Sequence, residues 1–579
     1  MAMKPCLSFK VRILSVALIL PIALVSVSAR AIEGVNPQAP ILTNAAVAVP
    51  DEHAAHTAEI IFDQGGNAID AAVAIAFTLA VTYPEAGNIG GGGFMTVYHE
   101  GRPYFLDYRE RAPGLATRDM YLDESGKVIP PDDTRSSVLG HRAVGVPGTV
   151  AGMWEAHKRF GKLSWSQVLE PSINLAKDGF KVSAALANLA KVEIDSRFHE
   201  KTNFAHHFSG LLEGNQFKQP DLEAVLRRIG ARGASDFYTG ETSKLITQDM
   251  KNNGGLITRK DLKDYKPVWR EPIKASWNGF EVVTAPPPSS GGIGLVQLLK
   301  LKEIRSADFY GVELNSPQYI HLVSEIEKRV FADRAEYLGD PDFYSIPIKQ
   351  LLESCYLEKR AAEINVSTIS ITESIAAGLN FKMVEKPQTT HFSVIDKWGN
   401  AVSNTYTLNG NFGSGAVVEK AGIILNDQMD DFSAQTGVAN QMGVLGSDAN
   451  SIAPGKRPLS SMTPTILLKN GRVALVIGTP GGSRIFTSVF QVVSNVYDFN
   501  MPIASAVASQ RFHHQLMPKN TIFWEPFAPI QGKLAEQLIE KGYNLSGQYF
   551  NGDIQAIMVK NGVPFPVSDP RGRGVSATY

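Results

Sequence analysis

Between Thr389 and Leu408 the chain alternates in a way that admits very few local structures. Thr389-Thr390-His391-Phe392-Ser393-Val394-Ile395-Asp396 has a period of two, Lys397-Trp398-Gly399-Asn400 is turn-like, and Ala401 to Leu408 runs back. Two such runs around a Gly/Asn turn predict a β-hairpin. With a three-residue loop centred on Trp398, Asp396 pairs with Asn400 and, counting outward, Thr389 lies opposite Thr407. Cross-strand neighbours hold their Cβ atoms about 4.5–5.5 Å apart, within hydroxyl reach. A four-residue loop shifts that register by one. Threonine is also simply a good strand former, so a bare Thr-Thr-His does not announce chemistry by itself.

The hairpin begins at a change of texture near residue 388. Upstream, Asn67 to Tyr83 is Ala- and Val-rich, apolar nearly all round and followed by Pro84, the pattern of a buried helix. Gly90 to Gly93 reads as a tight turn, leading into the alternating Met95 to Tyr98. Tyr319, Leu322, Val323, Ile326 and Val330 recur at helical spacing with charges between them. Downstream, strand-like runs such as Val473 to Ile477 are separated by Gly/Asn/Asp turns. Helices combined with a strand-rich block predict an α+β body of sheets packed face to face under helical layers. At 579 residues the chain is long enough for two domains or one large layered body.

The amino terminus stands apart. Lys4, Lys10 and Arg12 precede an apolar run from Ile13 to Val27, and Ala29-Arg30-Ala31 is an A-x-A cleavage pattern. This predicts a secretory signal peptide over residues 1–31 and a periplasmic or secreted product, because the run is shorter than the roughly 20 residues of a membrane span. The mature chain is therefore expected to have no stable membrane anchor. Cys355 would then be the one remaining cysteine, with no base beside it, and reads as a structural thiol. A net charge of -1 argues against nucleic-acid or anionic-membrane partners and for a small molecule.

Several signals point nowhere. Gly90 to Gly93 lacks the G-K-[ST] ending of a phosphate loop, and there is no G-x-S-x-G nucleophile elbow. His206-His207 and His513-His514 have no companions at zinc-ligand spacing, and Asp427, Asp430 and Asp431 do not follow the calcium-loop pattern. No metal and no cofactor are expected.

Taken together, the motifs resemble a known family. Thr389 to Val394, Tyr406-Thr407-Leu408-Asn409, Asn426 to Phe432, Arg457-Pro458-Leu459-Ser460-Ser461-Met462 and Pro480-Gly481-Gly482-Ser483-Arg484 are similar to the small subunit of a bacterial γ-glutamyltransferase. Gly87 to Phe94, Arg109-Glu110 with Ala112-Pro113, and Pro286 to Gly292 resemble its large subunit. The likeness covers nearly the whole chain beyond the leader, in order.

That resemblance implies a four-layer αββα sandwich of the N-terminal-nucleophile hydrolase type. It implies a precursor that cuts itself between Gln388 and Thr389 into a large subunit, 32–388, and a small subunit, 389–579. Thr389 becomes the nucleophile, with Thr407 hydrogen-bonded to it and its own α-amino group as base. Gly481 and Gly482 supply the oxyanion hole. The implied substrate is a γ-glutamyl compound such as glutathione, with Arg109, Ser460 and Ser461 on its α-carboxylate and Asp431, Gln428 and Asn409 on its α-ammonium. Water or an amino-acid or peptide amine then accepts the γ-glutamyl group.

One departure stands out. Bacterial relatives often carry a lid tyrosine after the hairpin, in the segment equivalent to Gln435 to Ile452; here Met442 takes its place and has no hydroxyl to donate. Two rivals remain: a glutaryl-cephalosporin acylase, which would have no use for Asp431, and an uncut pseudoenzyme that only binds γ-glutamyl compounds.

Overall fold

The computed structural model describes residues 41–375, 388–435, 447–548 and 552–579. The leader and Met442 therefore lie outside the described residues. Thirteen strands form the two large sheets: β1 (Ala46–Val49), β2 (Gly92–His99), β3 (Arg102–Tyr108), β4 (Val268–Arg270), β5 (Ile273–Trp277), β6 (Phe280–Thr284), β7 (Gln388–Ile395), β8 (Ala401–Asn409), β9 (Thr465–Lys469), β10 (Arg472–Gly478), β11 (Gln555–Lys560), β12 (Val563–Ser568) and β13 (Val575–Thr578). The first sheet runs β13-β1-β7-β8-β2-β3-β4 and the second β12-β11-β10-β9-β6-β5. Both are antiparallel throughout.

The expected hairpin forms with the three-residue loop. Val394 pairs with Val402 and Thr390 with Tyr406, and the Asp396 N–H donates to Asn400 O at 2.9 Å. Asp396 is buried and holds the turn, accepting from the Trp398 and Asn400 N–H groups at 3.0 Å each. Its other oxygen accepts from Ala68 N–H at 3.0 Å. One carboxylate thus closes the hairpin and caps a helix, as an acceptor at a helix N-terminus does. That helix, α2 (Ala68–Thr82), is the one expected from Asn67 to Tyr83; Asn67 and Asp70 form its capping box and every residue in it is buried. With α1 (Glu52–Asp63) and α3 (Trp165–Asp178) it contributes to a core cluster that includes Phe392, Val394 and Val402 from the hairpin.

Alternate hairpin residues belong elsewhere. Ile395 and Ala401 cluster with Ile466, Val476 and Ile557 of the second sheet. A third cluster joins Leu467, Leu475 and Ile477 to α4 (Gly291–Ile304), α5 (Pro317–Tyr337) and α6 (Ile485–Tyr497).

One sequence reading changes. Gly90 to Gly93 is not mainly a turn: Gly92 and Gly93 open β2, and none of the four has left-handed backbone. A Cβ on Gly91 would stand 2.0 Å from Thr407 O, and one on Gly93 2.5 Å from Thr405 O, so the run exists for close approach to β8. The charges that lie between the apolar positions of α5 are buried as well. Glu325, Lys328 and Arg329 are buried together, with Glu325 paired to Lys328 at 2.8 Å and to Arg329 at 2.9 Å. Cys355 is exposed in the helix Ser354–Ala362, and Cys6, the chain's other cysteine, lies outside the described residues. Among the described residues no helix is long and apolar enough to cross a membrane.

Candidate active site

Thr389 lies near the start of β7, facing the second sheet with His391 and Ser393. Gln388 and Thr389 are joined within the strand, so the Thr389 nitrogen is still a peptide N–H. The pairing slips between Tyr406 and Asn409, a bulge in β8 beside Thr389. Asn409 takes the strain with φ +80°, in the left-handed region that asparagine tolerates better than most residues. The result is a Thr389 Oγ1 to Thr407 Oγ1 distance of 3.3 Å. The Asn409 N–H donates to Thr407 Oγ1 at 2.7 Å, which orients that hydroxyl.

The nearby histidine is not available as a base. Ser393 Oγ donates to Gln555 O at 2.9 Å, so His391 Nε2, 3.1 Å away, must donate to Ser393. His391 Nδ1 then accepts from Thr405 Oγ1 at 2.8 Å. Burial pushes this imidazole down to about 3, so it is neutral and fully engaged at physiological pH.

Thr389 opens onto a small cleft. Its lining contains Thr389, Thr407, Asn409, Arg109, Gln428, Asp431, Ser460, Ser461 and Gly482, together with Arg334, Leu459, Met462, Ser483 and Ile485. Of the residues singled out in the sequence, Gly481 alone is outside the lining; it precedes Gly482 on the same turn. Both glycines need their freedom, with φ +135° at Gly481 and +57° at Gly482. They begin the short 3₁₀ turn that runs into α6, and the first N–H groups of a helix have no intrahelical acceptor. Among the described residues neither N–H reaches a backbone acceptor.

Arg109 follows β3 and is 1% exposed. Its guanidinium pairs with Asp431 and donates from Nε to Pro458 O at 3.3 Å. Asp431 ends the 3₁₀ turn Gln428–Asp431 and also accepts from Gln428 Nε2 at 2.7 Å. Gln428 Oε1 is a buried acceptor without a partner among the described residues. Asn409 does not reach toward Asp431; its Nδ2 donates to Asp427 O at 3.0 Å. Ser460 Oγ accepts from Met462 N–H at 3.1 Å, and Ser461 Oγ from Arg334 at 3.3 Å.

Sequence reasoning assigned no role to several residues here. Asn426 ties the acidic turn to the glycine run, donating to Gly90 O and Gly145 O at 2.8 Å each. Asn450 bridges two walls, donating to Asp431 O at 2.7 Å and accepting from Leu459 N–H at 2.9 Å. Glu110 is fully buried 3.6 Å from Arg109, and burial raises its carboxyl to about 7 against the pull of that guanidinium. Arg334 lies in the last turn of α5, where no motif marked it. The histidine pairs serve local structure: His206 and His207 stack edge to face, His513 bonds Thr487 and Gln515, and His514 accepts from Leu516 N–H.

Residues 54–579 match the sequence profile of the family described as Gamma-glutamyltranspeptidase. The chain belongs to the gamma-glutamyltranspeptidase family. It is 58% identical over 535 residues to a glutathione hydrolase proenzyme of Pseudomonas aeruginosa, covering 92% of this chain and 94% of that protein. A gamma-glutamyltranspeptidase from Pseudomonas nitroreducens, solved in complex with L-DON, aligns with a TM-score of 0.56 and 56% identity, over 58% of this chain and 98% of the other. A cephalosporin acylase from Bacillus halodurans aligns with a TM-score of 0.79 and 26% identity, over 96% of this chain and 99% of the other. Gamma-glutamyltranspeptidases and such acylases are N-terminal-nucleophile hydrolases, and the mixed helix and sheet architecture seen here is theirs.

Proposed function

We propose that this member of the gamma-glutamyltranspeptidase family is a self-processing γ-glutamyltransferase and glutathione hydrolase whose nucleophile is Thr389. The observation that carries this reading is one cleft holding the Thr389–Thr407 hydroxyl pair at 3.3 Å together with the Arg109–Asp431 ion pair. An α-amino acid is itself a carboxylate and an ammonium. Inserted between Arg109 and Asp431, it gives each charge a new partner and leaves the net charge of the site unchanged. Gln428 Oε1 is a waiting acceptor for the ammonium, and the Ser460 and Ser461 hydroxyls are donors for the carboxylate.

In the precursor, Thr389 Oγ1 attacks the Gln388 carbonyl, the peptide becomes an ester, and water hydrolyses it. This separates subunits 32–388 and 389–579 and frees an amine on the nucleophile's own residue. A threonine hydroxyl needs a base, and an α-amino group with a pKa of roughly 7.7–8.0 is partly neutral near pH 7. It takes the Thr389 proton as Oγ1 adds to the γ-carbonyl carbon and returns it to the departing amine. The N–H groups of Gly481 and Gly482 hold the charge on the carbonyl oxygen; one such donor typically contributes about 10²–10³ in rate. Water or an amino-acid or peptide amine then takes the γ-glutamyl group from Thr389.

The body is read as a four-layer αββα sandwich. Its support is the apolar cluster shared by the two sheets and the separate clusters each sheet shares with helices. Residues 1–31 are read as an export signal, giving a periplasmic or secreted enzyme. A glutaryl substrate has no ammonium, so Asp431 disfavours the acylase reading.

Wild type and Thr389→Ala decide the matter. Wild type should show two bands on denaturing electrophoresis and release aniline from a γ-glutamyl anilide, faster with a dipeptide acceptor. The variant should stay as one band and release nothing. Cleavage that persists in Thr389→Ala would sink the mechanism, and a single wild-type band would favour a non-catalytic binder.

A further inference from the structure

Arg334 is a buried cation on the cleft wall for which the family motifs supply no role. It lies in the last turn of α5, where the negative end of a helix dipole eases the cost of burying a positive charge. Burial nonetheless lowers its guanidinium to about 10. Among the described residues it meets hydroxyls and no carboxylate. Arg334 Nε donates to Ser290 Oγ at 3.0 Å, and Nη2 donates to Ser461 Oγ at 3.3 Å. Its direct partners are hydroxyls, and the Asp431 carboxylate, which offsets part of that lowering, is paired with Arg109, so the pocket holds two guanidiniums on one carboxylate and can take a further anion from a ligand.

The hydrogen-bond directions give this charge a task. A guanidinium only donates, so both serine oxygens are acceptors toward it. Ser290 sends its one proton to Ser460 O at 2.7 Å. That contact, with the Ser290 N–H to Ser460 O bond of 2.8 Å, fixes the backbone of the serine pair. The Ser461 hydroxyl has its oxygen turned to Arg334. Among the described residues the other neighbour for its proton is Ser290 Oγ at 3.5 Å, the outer limit of a hydrogen bond. Its proton is therefore left to point at whatever acceptor enters the cleft.

We propose that Arg334 is a positioning and specificity residue of the donor site, which turns the Ser461 O–H toward the α-carboxylate of the γ-glutamyl group and adds a second positive charge beside Arg109. The inference rests on the reading of Arg109, Ser460 and Ser461 as the α-carboxylate subsite. It makes recognition of a charged carboxylate depend on two guanidiniums, one paired with Asp431 and one held by serines.

The test compares two donors on the mature enzyme: a γ-glutamyl anilide with a free α-carboxylate, and the same anilide with that group as the carboxamide. The readout is the ratio of their kcat/KM values. Wild type should prefer the free acid by about 100-fold or more, the scale of a charge-assisted contact made by a buried pair. Arg334→Gln should cut that preference by about 10-fold or more through KM, with kcat for the free acid within about threefold. Arg334→Lys, which keeps the charge but loses the fork that spans two hydroxyls, should recover part of it. Because Arg334→Gln could fail to mature, Ser290→Ala is read in parallel; loosening Arg334 there should lower the preference by about threefold. An unchanged ratio in the variants that mature, or an equal loss of kcat on both donors, overturns the proposal. A wild type that does not distinguish the donors overturns the carboxylate subsite itself, a different result from a wild type that discriminates while its variants discriminate equally well.

Discussion

The Thr407 oxygen accepts the Asn409 N–H at 2.7 Å, so its proton can be given to Thr389 Oγ1, leaving the Thr389 proton for a base. A hydroxyl used this way orients a nucleophile without binding substrate. Thr407→Val should therefore lower kcat roughly 10–100-fold with little change in KM, and Thr407→Ser should keep most of the rate. Steady-state kinetics on a γ-glutamyl anilide check this; a rise in KM alone would place Thr407 in binding. His391 is the instructive contrast. It lies two residues from the proposed nucleophile, yet its two nitrogens are used up by Thr405 and Ser393, and burial holds it neutral. Proximity along the chain did not make it a base.

At the scale of elements, the hairpin and α2 are one unit because Asp396 serves both. Asp396→Ala removes acceptors from the Trp398, Asn400 and Ala68 N–H groups at once and from Asn400 Nδ2 at 2.8 Å. A loss of about 3 kcal/mol or more is expected, since each buried donor left bare costs roughly 1–3 kcal/mol. Chemical denaturation measures this, with slower self-cleavage as the accompanying effect. The junction of β2 with β8 is as tight. A Cβ at Gly91 would come within 2.0 Å of Thr407 O, a backbone atom that can move only with the bulge carrying the second threonine. Gly91→Ala is thus expected to lose maturation and activity more than stability; a fully processed, active Gly91→Ala chain would show the bulge to be compliant. The hairpin was legible because alternation and a short turn specify it locally, and the structure selected the three-residue loop of the two registers that the sequence allowed. The bulge at Tyr406 to Asn409 was not, because it answers to β2 on the far side of β8.

The whole molecule buries several acids that keep their protons. Burial raises Glu110 from 4.5 to about 7, and burial with the neighbouring Asp569 raises Asp553 from 3.8 to about 8. Between their unfolded and folded values the folded chain holds protons that the unfolded chain has released. Their contribution is therefore full below about pH 4 and is lost as pH rises through about 7 to 8. Glu110→Gln should accordingly narrow the drop in melting temperature between about pH 5 and pH 8, gaining roughly 2–4 kcal/mol relative to wild type at the alkaline end. Melting curves at the two pH values test it; an equal drop in both proteins would mean that Glu110 is charged or unfolds with a similar pKa.

What the sequence determined by itself was local and periodic. The buried helix within residues 67–83 and the hairpin, though not the choice between its two loop lengths, follow from patterns a few residues long, where backbone sterics and side-chain alternation decide the outcome. The ordered motifs added the family and, through it, a list of proposed site residues, all of which but Gly481 line one cleft. Tertiary structure decided the rest. Arg109, Arg334, Asp431 and Ser461 come from distant parts of the chain, and the fold brings them to the lining of one cleft. Arg334 shows the limit most clearly. Along the chain it is one more charge on a helix, and only the fold removes it from water and leaves two serine hydroxyls as its partners. Burial and the direction of a donated proton are properties of the assembled neighbourhood, which no short stretch of sequence contains.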